Sequence, residues 1–444
     1  MNTRIWQPAM LLALSLLIGA CGGGGGGGSG SIGIAGNGTA TTLGGPDAGR
    51  GDGAAPAGGA PSGGGAAAPS GTAAVGGDDG SGVGSGGTGV SSASAVGIGS
   101  ADGFGSVIVN GVRYNTDNAA FNVQDAPELQ LGMSVKVTGA VNNNFTAGTA
   151  ATVESAAELR GVVSNINVTR GTFTLLGTTV STDSETVWAD ASGLSGIAGS
   201  ASLQVWGLPA APGMLRATRI SQVASGAAPI VTGTVENLDQ AAGVLSIGAL
   251  SITYAPGSFV GGLEAATLAN GTIVRVRGTG LTSAGAVNAT VIQSWYPLAQ
   301  ATGQTAAIDG VVTDYVGLAS FKVLGVTVDA TAAQIIGGPG SSFGNGVKLE
   351  VAGTFVGGVL RATKLKIRHI PGTGGPSSFA LIGTVGAFTS PASFKVRGQP
   401  IDASSRAVVF QNGTAANLGN GSKVQVTGSQ VLNGILLANT VTFD

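Results

Sequence analysis

Residues 345–353 read NGVKLEVAG, and four further stretches follow the same pattern: LGMSVKVTG (131–139), GSASLQVWG (199–207), NGTIVRVRG (270–278) and NGSKVQVTG (420–428). Two residues before each closing glycine stands valine: Val137, Val205, Val276, Val351 and Val426. Four before it stands Val135, Leu203, Val274, Leu349 or Val424. Between them sits Lys136, Gln204, Arg275, Glu350 or Gln425. Apolar and polar side chains alternating with period two make a β-strand with one face buried and one in water. The inward column keeps its type and the outward column changes sign freely. That combination marks a scaffold, not a shared catalytic group. The closing glycines Gly139, Gly207, Gly278, Gly353 and Gly428 are 68, 71, 75 and 75 residues apart, so the chain is an internal repeat.

Other elements recur in step with this one. VIVNGVRY (107–114), FTLLGTTV (173–180), LSIGALSI (245–252), FKVLGVTV (321–328) and FKVRGQPI (394–401) each carry two β-prone runs around a glycine, the signature of a tight hairpin. RGVVSNI, TGTVENL, DGVVTDY and IGTVGAF open units around Gly161, Gly233, Gly310 and Gly383. LRATRI (215–220), VNATVI (287–292), LRATKL (360–365) and LLANTV (436–441) close them, with a degenerate TAATVE at 149–154. No helical period is visible. A sheet this small avoids open edges best by closing on itself. The expected fold is therefore all-β, with five small barrels of five-stranded OB-like Greek-key type in a row. Small β-sandwiches are the second arrangement and a continuous β-solenoid the third. The long period favours separate beads over solenoid rungs. The repeats span 96–157, 158–226, 228–298, 305–370 and 378–444.

What precedes them is different. Of 444 residues, 81 are glycine, nearly one in five against an average of about 7%. Many lie between Gly22 and Ala95 among Ala, Ser, Pro and Thr, with few aromatic or charged residues. Such a segment cannot bury enough apolar surface to offset its ordering entropy. Residues 21–95 are expected to be a disordered tether reaching roughly 45–50 Å. Asp78-Asp79 within it reads as a solvated charge pair. Ahead of the tether, Ala9–Ala20 (AMLLALSLLIGA) is apolar, too short to span a bilayer and of the right length for a signal peptide.

The run ends Ile18-Gly19-Ala20-Cys21, and Cys21 is the chain's one cysteine. This resembles a bacterial lipoprotein signal, with residues 1–20 removed. The resemblance implies a Cys21 carrying several acyl chains, palmitate among them, enough for stable anchoring. With Gly22 rather than Asp after the cysteine, Gram-negative sorting rules imply the outer membrane, on its periplasmic or surface face. The phrase GFGSVIVNGVRYNT (103–116) and the five strand copies resemble a family of repeats of unknown function found in tandem in bacterial envelope lipoproteins. That resemblance implies a repeated small β-barrel and carries no activity with it.

Chemistry-bearing motifs are scarce. Charged residues make up 9% of the chain against about 25% on average, and the net charge of −2 argues against nucleic-acid binding. One cysteine excludes an intramolecular disulfide, and the single histidine, His369, excludes a His-pair metal site. No metal or cofactor is expected. No GxSxG, HExxH or Walker A motif is present, and GTGLTS (278–283) lacks the β-α-β surroundings of a dinucleotide loop. Asp183 and Glu185 read as a solvated strand face. Trp188, Trp206, Trp295 and Tyr296 fit interior or inter-repeat packing better than sugar stacking. In KLKIRH (364–369), Lys364, Lys366 and Arg368 share one strand face, near Arg361 and Lys348; the three read first as a solvated face or a lysine-guarded edge strand, and are the one candidate stripe for an anionic ligand. The expected role is non-enzymatic: an anchored array for binding or spacing, with the membrane and an envelope glycan or protein as partners. The alternatives are an assembly or secretion helper, which needs an open sheet edge, and a glycan-processing enzyme.

Overall fold

The computed structural model describes residues 93–370 and 379–444. The expected signal segment, Cys21, Asp78-Asp79 and nearly all of the expected tether lie outside the described residues, as does the side chain of His369.

The described chain is all-β. Repeat 1 holds β1 (Ala93–Phe104), β2 (Val107–Val109), β3 (Val112–Asn115), β4 (Ala120–Val123), β5 (Ser134–Val141) and β6 (Ala147–Ser155). Repeat 2 holds β7 (Leu159–Asn167), β8 (Thr172–Leu175), β9 (Thr178–Ser181), β10 (Val187–Trp188), β11 (Ser202–Pro209) and β12 (Met214–Gln222). Repeat 3 holds β13 (Ile230–Asp239), β14 (Val244–Ile247), β15 (Leu250–Thr253), β16 (Ile273–Leu281) and β17 (Val287–Ser294). Repeat 4 holds β18 (Thr305–Gly317), β19 (Ser320–Val323), β20 (Val326–Asp329), β21 (Gln334–Ile336), β22 (Lys348–Val356) and β23 (Val359–His369). Repeat 5 holds β24 (Phe379–Ser390), β25 (Ser393–Val396), β26 (Gln399–Asp402), β27 (Val409–Gln411), β28 (Lys423–Leu432) and β29 (Ile435–Phe443).

One pairing scheme serves all five. The opening strand pairs antiparallel with the first hairpin strand, and the two hairpin strands pair with each other. The second hairpin strand lies parallel to the last strand of the repeat. The last strand pairs antiparallel with the penultimate one, which pairs back onto the opening strand. Each repeat's ladder therefore returns to its first strand. A short fourth strand adds parallel to the last one in four repeats. In repeat 3 it shrinks to a single bridge, Phe259 to Ile292.

The glycine columns have steric causes. A Cβ on Gly353 would stand 2.1 Å from the Arg361 carbonyl oxygen, and one on Gly139 would stand 2.0 Å from that of Thr149. The strand register slips at both positions, so the backbones close to within glycine distance. In the hairpins, Asn110-Gly111 and Leu324-Gly325 both take positive φ, the type I′ turn whose twist matches the strands. The inward valine column is fully enclosed.

The repeats are not separate beads. Repeats 1, 4 and 5 join one 18-stranded network, and repeats 2 and 3 an 11-stranded one. Opening strands make the junctions. β1 runs parallel to β18 from Ala95–Thr305 to Ile98–Ile308, and its other end runs parallel to β24 at Gly103–Ala380. β7 pairs antiparallel with β13. The reason lies in the glycines of β1: a Cβ on Gly103 would sit 2.1 Å from the Ala380 oxygen. Only a bare backbone admits a second strand that closely. The period of the repeat carried no information about this, because strand alternation reports contacts inside a repeat and not which repeats pair.

Candidate functional site: buried ion clusters where repeats meet

The outward strand column does not face water throughout. Gln204, Arg275 and Glu350 are buried, whereas Gln425 is exposed. The buried ones are covered by other repeats, and they anchor two ionic clusters.

The first cluster joins repeats 1, 2 and 4. Strand β1 supplies Asp102, and the β9–β10 connection supplies Asp183 and Glu185. Arg216 comes from β12, Asp309 from β18, Lys348 and Glu350 from β22, and Arg368 from β23. Arg216 Nη2 lies 2.6 Å from Asp183 Oδ2 and 2.8 Å from Glu185 Oε2. Lys348 Nζ lies 2.5 Å from Glu185 Oε2 and 3.3 Å from Asp309 Oδ2. Arg368 is ion-paired with Glu350, with Glu185 at 3.4 Å and with Asp102 at 3.6 Å. Ser100 Oγ donates to Asp102 at 2.5 Å.

Five carboxylates thus meet three enclosed cations, with Lys366 at the rim 4.0 Å from Glu350. The imbalance appears in the proton affinities. Burial works against the charge of Glu185, but Lys348, Arg216 and Arg368 outweigh it and hold its carboxyl down to about 2. Asp309 is fully enclosed, and neither of its oxygens has a hydrogen-bond partner. Burial pushes its carboxyl up to about 6 against the pull of Lys348, Arg368 and Arg216. Burial raises Asp102 as well.

The second cluster joins repeats 1, 2 and 3 around Glu158, which is fully buried between β6 and β7. Its carboxylate accepts hydrogen bonds from Ser134 Oγ (2.8 and 2.9 Å), the Gly207 amide (2.8 Å), Arg275 Nη2 (3.0 Å) and Trp295 Nε1 (3.0 Å). The Arg275 guanidinium also stands over the Tyr296 ring, 5.1 Å from its centroid. Nearby, Asp125 pairs with Arg160 at 2.7 Å and Arg277 at 2.6 Å. Burial opposes the charge of Asp125, and the two arginines bring its carboxyl below the usual range.

The sequence-derived site residues divide. Lys364 and Lys366 are half-buried and border a small depression between repeats 1 and 4 with Asn110, Phe145 and Glu350. Arg368 is only 4% exposed and belongs to the first cluster. The expected three-cation stripe is therefore two lysines outside and one arginine inside. The strand alternation was right. The ligand of its third member is internal: the carboxylates of repeats 1, 2 and 4. Asp183 and Glu185 are not a solvated face either, since both clamp Arg216. Trp188, Trp206, Trp295 and Tyr296 are all buried. Glu158 lies in no repeated motif, and although Asp309 and Lys348 lie in DGVVTDY and NGVKLEVAG, only a buried-charge accounting across repeats would have shown their role. Among the described residues no group of three or more His, Cys, Asp or Glu is arranged to hold a metal ion. No helix among them is long and apolar enough to cross a membrane.

Residues 160–221, 309–366 and 382–442 each match a family described as Domain of unknown function (DUF5666). The chain carries tandem copies of this domain. The matched segments of DUF5666 fall in repeats 2, 4 and 5, and repeats 1 and 3 repeat its ladder order outside them. No curated protein matches the chain.

Proposed function

We propose that this chain is an envelope lipoprotein, anchored through Cys21 on a glycine-rich tether, that holds five OB-like barrels together as a non-catalytic platform. The ladder circuit supports the barrel reading: hairpin, parallel closure and return of the penultimate strand to the first are what a five-stranded Greek-key barrel requires. The observation that carries the functional reading is the use of charge. The enclosed acids and bases pair with one another across repeat junctions, and such groups are shut off from a substrate. They hold modules together instead of doing chemistry. Lys364 and Lys366 are the cations left at the surface of this junction. They suit a carboxylate or phosphate on an envelope glycan or partner protein, at rim-charge strength.

The test uses the full chain in cells. Palmitate labelling should be lost in Cys21→Ser. The Lys364→Glu/Lys366→Glu variant should recover less anionic glycan or partner than the parent after cross-linking, at equal surface level. Equal recovery would remove the lysines from the proposal, and retained label would remove the anchor. The assembly-helper reading rests on the fourth strands β4, β21 and β27, which pair on one side only among the described residues.

A further inference from the structure

The fourth strands carry a column that the repeat pattern did not disclose. Opposite a fixed position of the last strand stand Phe121 (facing Val153), Trp188 (Ile220), Phe259 (Ile292), Ile335 (Leu365) and Phe410 (Val441). In repeat 2 the outer edge of this strand is occupied. The turn between β28 and β29 of repeat 5, Asn433-Gly434, sits on it. The Gly434 amide donates to the Trp188 carbonyl at 2.9 Å, and the Asn433 amide donates to that of Ala191 at 2.8 Å. A Cβ on Gly434 would stand 2.8 Å from the Ala189 oxygen, so the turn must present glycine there. Trp188, beneath it, is 5% exposed.

Among the described residues, repeat 1 presents the same edge without a cover. Phe121 holds the position of Trp188 and is 49% exposed. Ala120 and Asn122 beside it are exposed, and β4 has no second strand among the described residues. Repeat 4 presents the matching turn without a receptor. Gly357 and Gly358 have φ of 58° and 79°, close to the 50° and 74° of Asn433 and Gly434. Val356 and Val359 pair across the turn as Leu432 and Ile435 do, and Val356 is 48% exposed. The Gly357 amide donates to Thr302 Oγ1 at 3.2 Å, a surface bond that an incoming carbonyl can replace.

We infer that the β22–β23 turn of repeat 4 docks on the β4 edge of repeat 1 in a second copy of the chain, reproducing the contact between repeats 5 and 2. The two surfaces are different, so the contact is head-to-tail and each pair keeps one free turn and one free edge. Two backbone hydrogen bonds and one covered aromatic make a weak contact in free solution. Copies confined to a membrane meet at far higher effective concentration, which is where such a contact operates.

The experiment places a photo-cross-linking phenylalanine at Phe121 of the full chain in its membrane. The expected product has twice the chain mass, and its adduct maps to the segment around Val356–Val359. Val356→Lys should lower that yield about tenfold, the equivalent of roughly 1.4 kcal/mol, with the thermal transition unchanged because Val356 is exposed. Mixing Phe121→Asp copies with Val356→Lys copies should allow pairs but no longer chains. An adduct on another protein overturns the inference and favours the assembly-helper reading. An adduct elsewhere on a second copy, or a yield indifferent to Val356→Lys, also overturns it. The outcome is separable from the proposed ligand role, because Lys364 and Lys366 are intact throughout.

Discussion

Truncating Glu158 to alanine tests whether the repeats are one cooperative body. The change removes a carboxylate that receives the Ser134 hydroxyl, the Gly207 amide, the Trp295 indole and the Arg275 guanidinium. Breaking a buried ion pair by deleting one partner costs about 3–5 kcal/mol, because the other charge stays enclosed. Each neutral donor left without an acceptor adds about 1–3 kcal/mol, less whatever a water entering the new space returns. These terms overlap, and about 5 kcal/mol is the expected total. For a unit this large that corresponds to a fall in Tm of about 10 °C, from about 2 °C per kcal/mol. Calorimetry of the full chain reads the shift. A double-mutant cycle with Arg275→Met separates charge from packing. The arginine substitution alone should destabilise strongly, and in the Glu158→Ala background it should cost much less or relieve the defect. The four donors come from repeats 1, 2 and 3, so the loss should broaden or split the transition. A cost under about 1 kcal/mol, or an Arg275→Met effect equal in both backgrounds, would refute the claim that this pair holds repeats together.

The other expectations are briefer. Asp309 binds its proton more tightly in the fold than in the open chain, so its penalty is absent below the ordinary carboxylate range and complete above about pH 6. Glu185 has the opposite sign, and its contribution is lost as pH falls from the ordinary range toward 2. Denaturation midpoints should therefore rise on going from pH 7 to pH 5 and fall again below pH 4. Asp309→Asn should stabilise the protein at pH 7 by about 1–3 kcal/mol, given 1.36 kcal/mol per pKa unit, and flatten the acid rise; a destabilised, still pH-sensitive variant would count against the charge imbalance. Gly353→Ala should cost more than about 2 kcal/mol, since its Cβ meets backbone at 2.1 Å, and a neutral result in chemical denaturation would mean that the slip at β22 is not fixed. Glu185→Gln and Lys348→Met should together lose less than the sum of their separate losses, measured in chemical denaturation; strict additivity would show that their pairing is incidental.

Much of the fold was legible in the chain. Strand alternation in NGVKLEVAG-type segments, the hairpin glycines and the closing glycines all reflect contacts inside a repeat, where neighbours in space are also neighbours in the pattern. The inward column is the same in every copy because the same ladder encloses it. The outward column was misread because its environment is set by other repeats. Arg275 and Gln425 occupy equivalent strand positions, yet one is enclosed beneath Tyr296 and Glu158 and the other lies in water. A single repeat cannot show that difference. The stripe at Lys364, Lys366 and Arg368 failed in the same way: alternation placed the three on one face, but not the depth of each along a junction with repeats 1 and 2.

The variation of that outward column has a physical use. Five copies of nearly one inward pattern can pair wrongly, since any opening strand could accept any other, and tandem repeats are prone to such misassembly. Burying ion pairs is a poor way to gain stability, because desolvation consumes most of the Coulomb attraction. It is an effective way to make wrong pairings costly. If repeat 5 replaced repeat 4 beside β1, Ile382 would stand where Asp309 stands, and Gln425 where Glu350 stands. Lys423 would stand where Lys348 stands and keep an amine there, but Asp444 would stand where Arg368 stands, so Asp102 and Glu185 would lose its guanidinium. Uncompensated buried charge costs several kcal/mol per group, more than a short parallel ladder of neutral backbone bonds returns. On this argument the charge changes between repeats act as an address, written in repeat 4 at Asp309, Glu350 and Arg368.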